Sequence, residues 1–133
     1  IISNDRDCSN CQTLSGFSLW ASLYALSPTF LLWNQSMTSF GPNGPSGNLP
    51  LNTWVFLAGT YNGQTARLYI NGVEANSLDR VAAIGVPHSY PLRIGHQGFN
   101  YNGGVDGLVD EVMIFDRPLT TTEIQVIYQA LKP

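Results

Sequence analysis

The chain has 133 residues, enough for one domain with a real core and too few for two. Only 11% of its residues are charged, against roughly a quarter in an average globular protein, while 13 glycines and 8 prolines punctuate a chain rich in Val, Ile, Leu, Tyr and Phe, a balance that fits an all-β protein. A net charge of −3 with 6 lysines plus arginines leaves no basic footprint for nucleic acid or an anionic membrane, and no apolar run reaches the roughly 18 residues a membrane span needs.

The chain opens on Ile1 rather than Met, which reads as a processed or excised chain with any signal peptide already removed. Residues 1 to 16 are polar apart from Ile1 and Ile2 and read as a loop, with Asn4, Asp5, Asp7, Ser9 and Asn10 around Cys8 and Cys11, the only C-x-x-C. A redox motif would open a helix after a strand, which nothing near it does. Zinc would need two further ligands that the distant His88 and His96 could hardly supply. A local disulfide between Cys8 and Cys11 is the expectation, with free thiols or a metal as alternatives.

Phe17 to Tyr24 alternates as a strand, placing Phe17, Leu19, Ala21 and Leu23 on one side, and Ser27-Pro28 ends it. Thr29 to Trp33 is a short apolar run suited to a buried strand, and Met37 to Phe40 is a further candidate. Asn34-Gln35-Ser36 is an N-glycosylation sequon, meaningful if the chain is secreted by a eukaryotic cell. Residues 41 to 48 are so rich in Gly and Pro that they exclude regular structure. Trp54 to Tyr61 is the next strand. Asn62-Gly63 and Asn71-Gly72 then flank Arg67 to Ile70, and Val73 to Ser77 follows, giving two adjacent hairpins. Leu92 and Ile94 lie in a short strand, and residues 96 to 106 form a loop.

Residues 107 to 119, Gly-Leu-Val-Asp-Glu-Val-Met-Ile-Phe-Asp-Arg-Pro-Leu, read as a strand closed by a turn and as the anchor of the fold. Leu108, Val112 and Ile114 share a face at the two-residue period, and Asp110 falls on that same apolar face. An ionised acid buried there needs hydrogen bonds or a cation. Thr120 and Glu123 have capping-box spacing, and Ile124, Ile127, Tyr128 and Leu131 recur as one face of a short helix. About eight strands and a C-terminal helix predict an all-β, two-sheet antiparallel sandwich.

Catalytic chemistry finds little footing. Asp110 and Glu111 are adjacent on a predicted strand, so they point to opposite faces and cannot flank one scissile bond. His88 and His96 lie in no nucleophile motif, and no glycine-rich phosphate loop is present. Calcium, which takes oxygens from carboxylates, amides and carbonyls, is a better fit: Asp110 is the candidate ligand, with Asp106, Asn102 or the Asn4, Asp5, Asp7 cluster as companions. The alternative is that Asp110 only hydrogen-bonds a neighbouring loop. His96, Gln97, Phe99, Asn100 and Tyr101 mix aromatic rings with amides, a combination that suits a sugar's apolar faces and hydroxyls and also suits an ordinary loop. Trp20, Trp33 and Trp54 are core candidates first, and Trp33, just before the sequon, is the one with a possible binding role.

From Leu49 onward the motifs resemble the laminin-G-like domains of the concanavalin A-like lectin/glucanase superfamily. The resemblance is carried by Leu49 to Gly63 with its Trp54, by Arg67-Leu68-Tyr69-Ile70-Asn71-Gly72, and by Leu92-Arg93-Ile94-Gly95 followed by residues 107 to 119 and Thr120 to Ile124. It implies a jelly-roll sandwich over a single domain, 1–133, in which the family's opening strand, expected upstream of Ile1, is absent. The acidic Glu-x-Asp-x-Glu pattern of the glucanase branch is also absent. The function so implied is a non-catalytic extracellular or cell-surface recognition and adhesion module that binds glycan or a protein partner, with calcium assisting. A structural subunit of an extracellular homopolymeric filament, completed by strand addition at an open sheet edge, is the alternative. A small glycoside hydrolase is the remotest reading.

Overall fold

The computed structural model describes residues 2–3, 16–22, 27–36, 38–47, 49–85, 92–95 and 105–132. Among these, eight strands make two antiparallel layers, and one helix closes the chain. The predicted sandwich class is what the chain adopts.

The first layer has the order β4-β3-β2-β1-β8. Its spine is β2 (Gly16–Ser22) against β3 (Ser27–Trp33), in which Phe17 faces Leu32 and Leu19 faces Phe30. The period-two alternation puts these four apolar residues on one face, and that face meets the second layer. β1 (Ile2–Ser3), expected as loop, is instead a two-residue strand between β2 and β8 (Arg93–Ile94). Pairing on both sides is what makes so short a piece a strand.

β4 (Ser39–Phe40) pairs only with Leu32 and Trp33, at one end of β3. The Gly/Pro stretch continues along the rest of that edge without becoming a strand. The Phe30 amide donates to the Pro42 carbonyl at 3.1 Å and the Gly44 amide to the Pro28 carbonyl at 2.7 Å, while the Ser27 hydroxyl donates to the Gly44 carbonyl at 2.6 Å. Gly41 permits this approach: it has φ +149°, and a Cβ there would fall 1.9 Å from the Phe30 carbonyl oxygen. Pro42 and Pro45 leave this edge poor in amide donors, which blocks addition of another strand.

The second layer is β5 (Leu57–Tyr61), β6 (Thr65–Ile70) and β7 (Val73–Asp79), in that order. Both predicted turns are present. Asn62 Oδ1 accepts from the amides of Gln64 and Thr65 at 2.9 and 2.8 Å. Asn71 and Gly72 take φ +50° and +77°, the paired left-handed geometry that matches strand twist in a two-residue hairpin. A bulge at Ala75 shifts the β6–β7 register, because Leu68 pairs with Asn76 and Tyr69 with Glu74.

The core between the layers is Phe30, Leu32, Phe40, Ala66 and Leu68, with Phe17, Leu19, Tyr61, Ala82 and Ile84 packed around it. Phe40 meets Tyr61 edge-to-face, centroids 5.5 Å apart. The Tyr61 hydroxyl, 2.9 Å from the donating Ala82 amide, also lies 2.8 Å from the carbonyls of Arg80 and Ala82 and so fixes the exit of β7. The outer face of the second layer has its own core, in which Tyr69, Leu119 and Ile124 are buried against Phe56, Ala58 and Ile127. The helix α1 (Thr121–Leu131) sits there. Its predicted capping box is formed, with the Thr120 hydroxyl accepting from the Glu123 amide and the Glu123 carboxylate accepting from the Thr120 amide.

Three expectations are overturned. Residues 107 to 115 are neither strand nor helix: no neighbour among the described residues supplies a ladder, and without one an apolar alternating sequence has nothing to pair with. Leu108 and Ile114 are 80% and 57% exposed, and Glu111 turns to φ +51°. Asp110, expected as a buried acid, is exposed, and its Oδ1 only accepts from the Glu111 amide at 2.8 Å. Any recognition role therefore has to rest on something other than a buried Asp110. Trp54, expected in the core, is 51% exposed, since β5 begins only at Leu57 and residues 54 to 56 are irregular.

Candidate functional site

Thr60, Asn62, Arg67, Tyr69 and Glu74 project from the second layer on the side away from Ala66 and Leu68, and Pro118 to Thr121 wall them in at the start of α1. Together they line a cleft of about 460 Å³, within the size range of small-ligand sites. The elements set each position. Thr60 pairs with Arg67 across β5–β6, and Tyr69 with Glu74 across β6–β7, so alternate residues of three strands converge on one face.

The chemistry of the lining is mixed and neutral. Arg67 Nε lies 3.2 Å from Glu74 Oε2, so the cation and the carboxylate offset each other. The Tyr69 hydroxyl is 3.2 Å from Thr121 Oγ1, which ties the cleft floor to the helix. Asn62 uses its carbonyl oxygen in the turn, and its amide nitrogen is left over. Thr60 is 9% exposed, and its hydroxyl is not one of the buried unpartnered polar atoms, which among the described residues are Ser18 Oγ and Trp20 Nε1. Its side chain lines the cleft, so the hydroxyl is available to a bound group there.

One wall is electrostatically fixed. Arg117 grips Glu123 through both carboxylate oxygens, at 2.6 and 3.0 Å. That bidentate bond, with the Thr120 amide and hydroxyl, lowers the Glu123 carboxyl to about 2, and the same contact raises Arg117. The pair holds the turn from Pro118 into the helix.

The sequence-predicted site residues are placed differently. Trp33 is buried at 8% exposure within β3, and its carbonyl accepts from the Gly85 amide at 2.8 Å, so it presents no binding surface. Asp106 and Asp110 both lie exposed on the unpaired stretch, and among the described residues no three His, Cys, Asp or Glu side chains group as metal ligands. Asn34 holds its own turn, with Oδ1 accepting from the amides of Ser36 and Thr38 at 3.0 and 2.9 Å. His96, Gln97, Phe99, Asn100, Tyr101, Asn102, Cys8 and Cys11 lie outside the described residues. The cleft residues were missed because only the folded strands and helix start bring them together. The available signal was the polar alternation Thr60, Asn62, Arg67 across a predicted hairpin.

A two-layer antiparallel sandwich with a terminal helix packed on one outer face is an all-β sandwich domain. The chain belongs to the concanavalin A-like lectin/glucanases superfamily, matching its laminin-G-like family model over residues 4–125. Among solved structures it is similar to an S-layer domain-containing protein from Clostridium thermocellum, at 21% identity and a TM-score of 0.52, over 92% of this chain and 67% of that one. That likeness is one of fold. No curated protein matches the chain. Among the described residues no helix is long and apolar enough to cross a membrane.

Proposed function

We propose that this chain is a non-catalytic recognition module of the extracellular space or cell surface, and that it binds a glycan in the cleft between Thr60, Arg67, Glu74 and Thr121. The observation that carries this reading is the convergence of the Thr60 hydroxyl, the Asn62 amide and the Arg67–Glu74 pair on one cleft at the start of α1. The offset Arg67–Glu74 pair favours neither an anion nor a cation. Hydroxyls, an amide and a balanced ion pair match a ligand whose groups both donate and accept, as sugar hydroxyls do. Tyr69 is only 1% exposed, so this cleft offers no ring for stacking and binding is held by hydrogen bonds alone. Affinity is accordingly weak, on the order of 0.1–1 mM. The one carboxylate of the cleft lining is committed to Arg67, which leaves no acid/base pair for glycoside cleavage.

Glycan-array binding of the chain and of Thr60→Val, with and without calcium, tests this. Thr60→Val keeps the shape and removes the hydroxyl, so a glycan held by wild type and lost by the variant, at unchanged melting temperature, supports the cleft. Equal binding by both, or none in either calcium condition, refutes it.

A further inference from the structure

We propose that Glu74 is the charge filter of the cleft: by holding Arg67 it lets neutral glycans in and keeps acidic ones, such as uronates, out. The inference rests on the cleft being a glycan site and names the class of sugar that site takes.

Local sequence fixes where Glu74 lies. Asn71 and Gly72 make a two-residue turn, so the strands close with Ile70 opposite Val73 and then Tyr69 opposite Glu74. Ala66 and Leu68 face the core between the layers, so Tyr69 and its partner Glu74 stand on the outer face, at the cleft. One residue more or less in the turn would send Glu74 to the inner face. Beyond Glu74 the bulge at Ala75 leaves the small Ser77 directly opposite Arg67, where an unbulged strand would set Asn76. The guanidinium therefore meets its diagonal neighbour, and Arg67 Nε lies 3.2 Å from Glu74 Oε2.

Of the described residues that line the cleft, Arg67 and Glu74 are the two with charged side chains. Other acids close to it in sequence or space are committed elsewhere: Asp79 Oδ1 accepts from the Thr65 hydroxyl at 2.8 Å, and Glu123 is gripped by Arg117. Without Glu74, Arg67 would make this an anion site, because a guanidinium pairs with a carboxylate or a sulfate through parallel N–H bonds. Glu74 fills that role with a carboxylate of the chain's own. A uronate reaching Arg67 would bring a second carboxylate beside the first, and like charges placed together are penalised. A sugar hydroxyl meets no such opposition. It accepts from guanidinium N–H groups other than Nε and donates to carboxylate lone pairs that Arg67 does not use.

The probes are methyl β-glucoside and methyl β-glucuronide, which differ only in a hydroxymethyl against a carboxylate, together with sulfate as an anion without a sugar. Each is titrated onto the whole chain and read by the amide spectrum and the Arg67 Nε–H signal. The paired side chains are 34% and 36% exposed, so the effect is that of a part-exposed ion pair. Wild type is expected to bind the glucoside about threefold to fivefold more tightly than the glucuronide and to ignore sulfate. Glu74→Gln, similar in shape and without the charge, is expected to reverse that order and to gain a sulfate-dependent shift of the Arg67 Nε–H signal, both fading in high salt. Glu74→Asp, which keeps the charge, is expected to keep the wild-type order, and both variants are expected to melt with wild type. Sugars without effect on either chain, while sulfate engages Glu74→Gln alone, would sink the glycan reading and leave the filter standing. Equal binding of the two sugars by wild type, the same order in wild type and Glu74→Gln, or sulfate acting alike on both chains would overturn the proposal.

Discussion

Gly59→Ala is the sharpest test of how the two layers meet. Gly59 lies in β5 opposite Leu68, and a Cβ there would fall 2.5 Å from Cγ and Cδ2 of Phe30 and 2.8 Å from its Cε2. These are contacts real side chains do not make. Phe30 is 6% exposed and belongs to the core cluster with Leu32, Phe40 and Leu68, so its ring has little room to retreat. Overpacking of this kind costs about 1–3 kcal/mol. Alanine returns about 0.4–1 kcal/mol by restricting the unfolded chain. The net expectation is a loss of about 1–2 kcal/mol in urea unfolding at unchanged m-value. Phe30→Ala alone costs about 3–5 kcal/mol. If the clash is the cause, the double variant is less destabilised than the sum of the two by about 1–3 kcal/mol. Additive losses, or a neutral Gly59→Ala, would mean that β5 does not stack on the β3 ring and that the packing described between the layers is wrong.

Other outcomes follow from single contacts. Ser18 is fully buried in β2, and among the described residues its hydroxyl has no partner, so Ser18→Ala is expected to stabilise the chain by about 1 kcal/mol in the same unfolding assay; a loss of similar size would reveal a bond to the hydroxyl. Glu123, with its carboxyl lowered to about 2 by Arg117 and then Thr120, stabilises the fold fully above the unfolded carboxylate range near 4.5; that contribution fades as pH falls from about 4.5 to about 2. Thermal melts across that window should flatten in Glu123→Gln, and an unchanged pH profile would refute the pairing. Gly72→Ala is expected to loosen α1, because its φ is +77° and the added Cβ would lie 2.7 Å from Tyr128; circular dichroism should show earlier loss of helical signal than in wild type.

How much of this was legible depended on whether the signal was local. Asn62-Gly63 and Asn71-Gly72 carry their turn geometry in their own side chains and φ preferences, so the hairpin pair could be read directly. Thr120 and Glu123 likewise encode the helix start within four residues. Residues 107 to 115 look as strand-like as Arg67 to Ile70, but a strand exists only with a neighbour to pair with, and pattern alone does not report one. Asp110 followed that error: once the strand is absent, its apparent apolar face is solvent. Ile2–Ser3 erred the other way, since two residues carry no readable period and become strand only by lying between β2 and β8. The cleft was invisible for a related reason. Thr60, Glu74 and Thr121 are far apart in sequence and meet only through sheet register and the docking of α1.

The most direct measurement is a backbone chemical-shift map of the labelled chain during titration with the glycan that gives the strongest array signal. The account predicts that the largest shifts fall on Thr60 to Asn62, Arg67 to Tyr69, Glu74 and Pro118 to Thr121, with the Thr60 amide among them. Shifts confined to residues 96 to 101, or spread without relation to the outer face of β5–β6–β7, would contradict it.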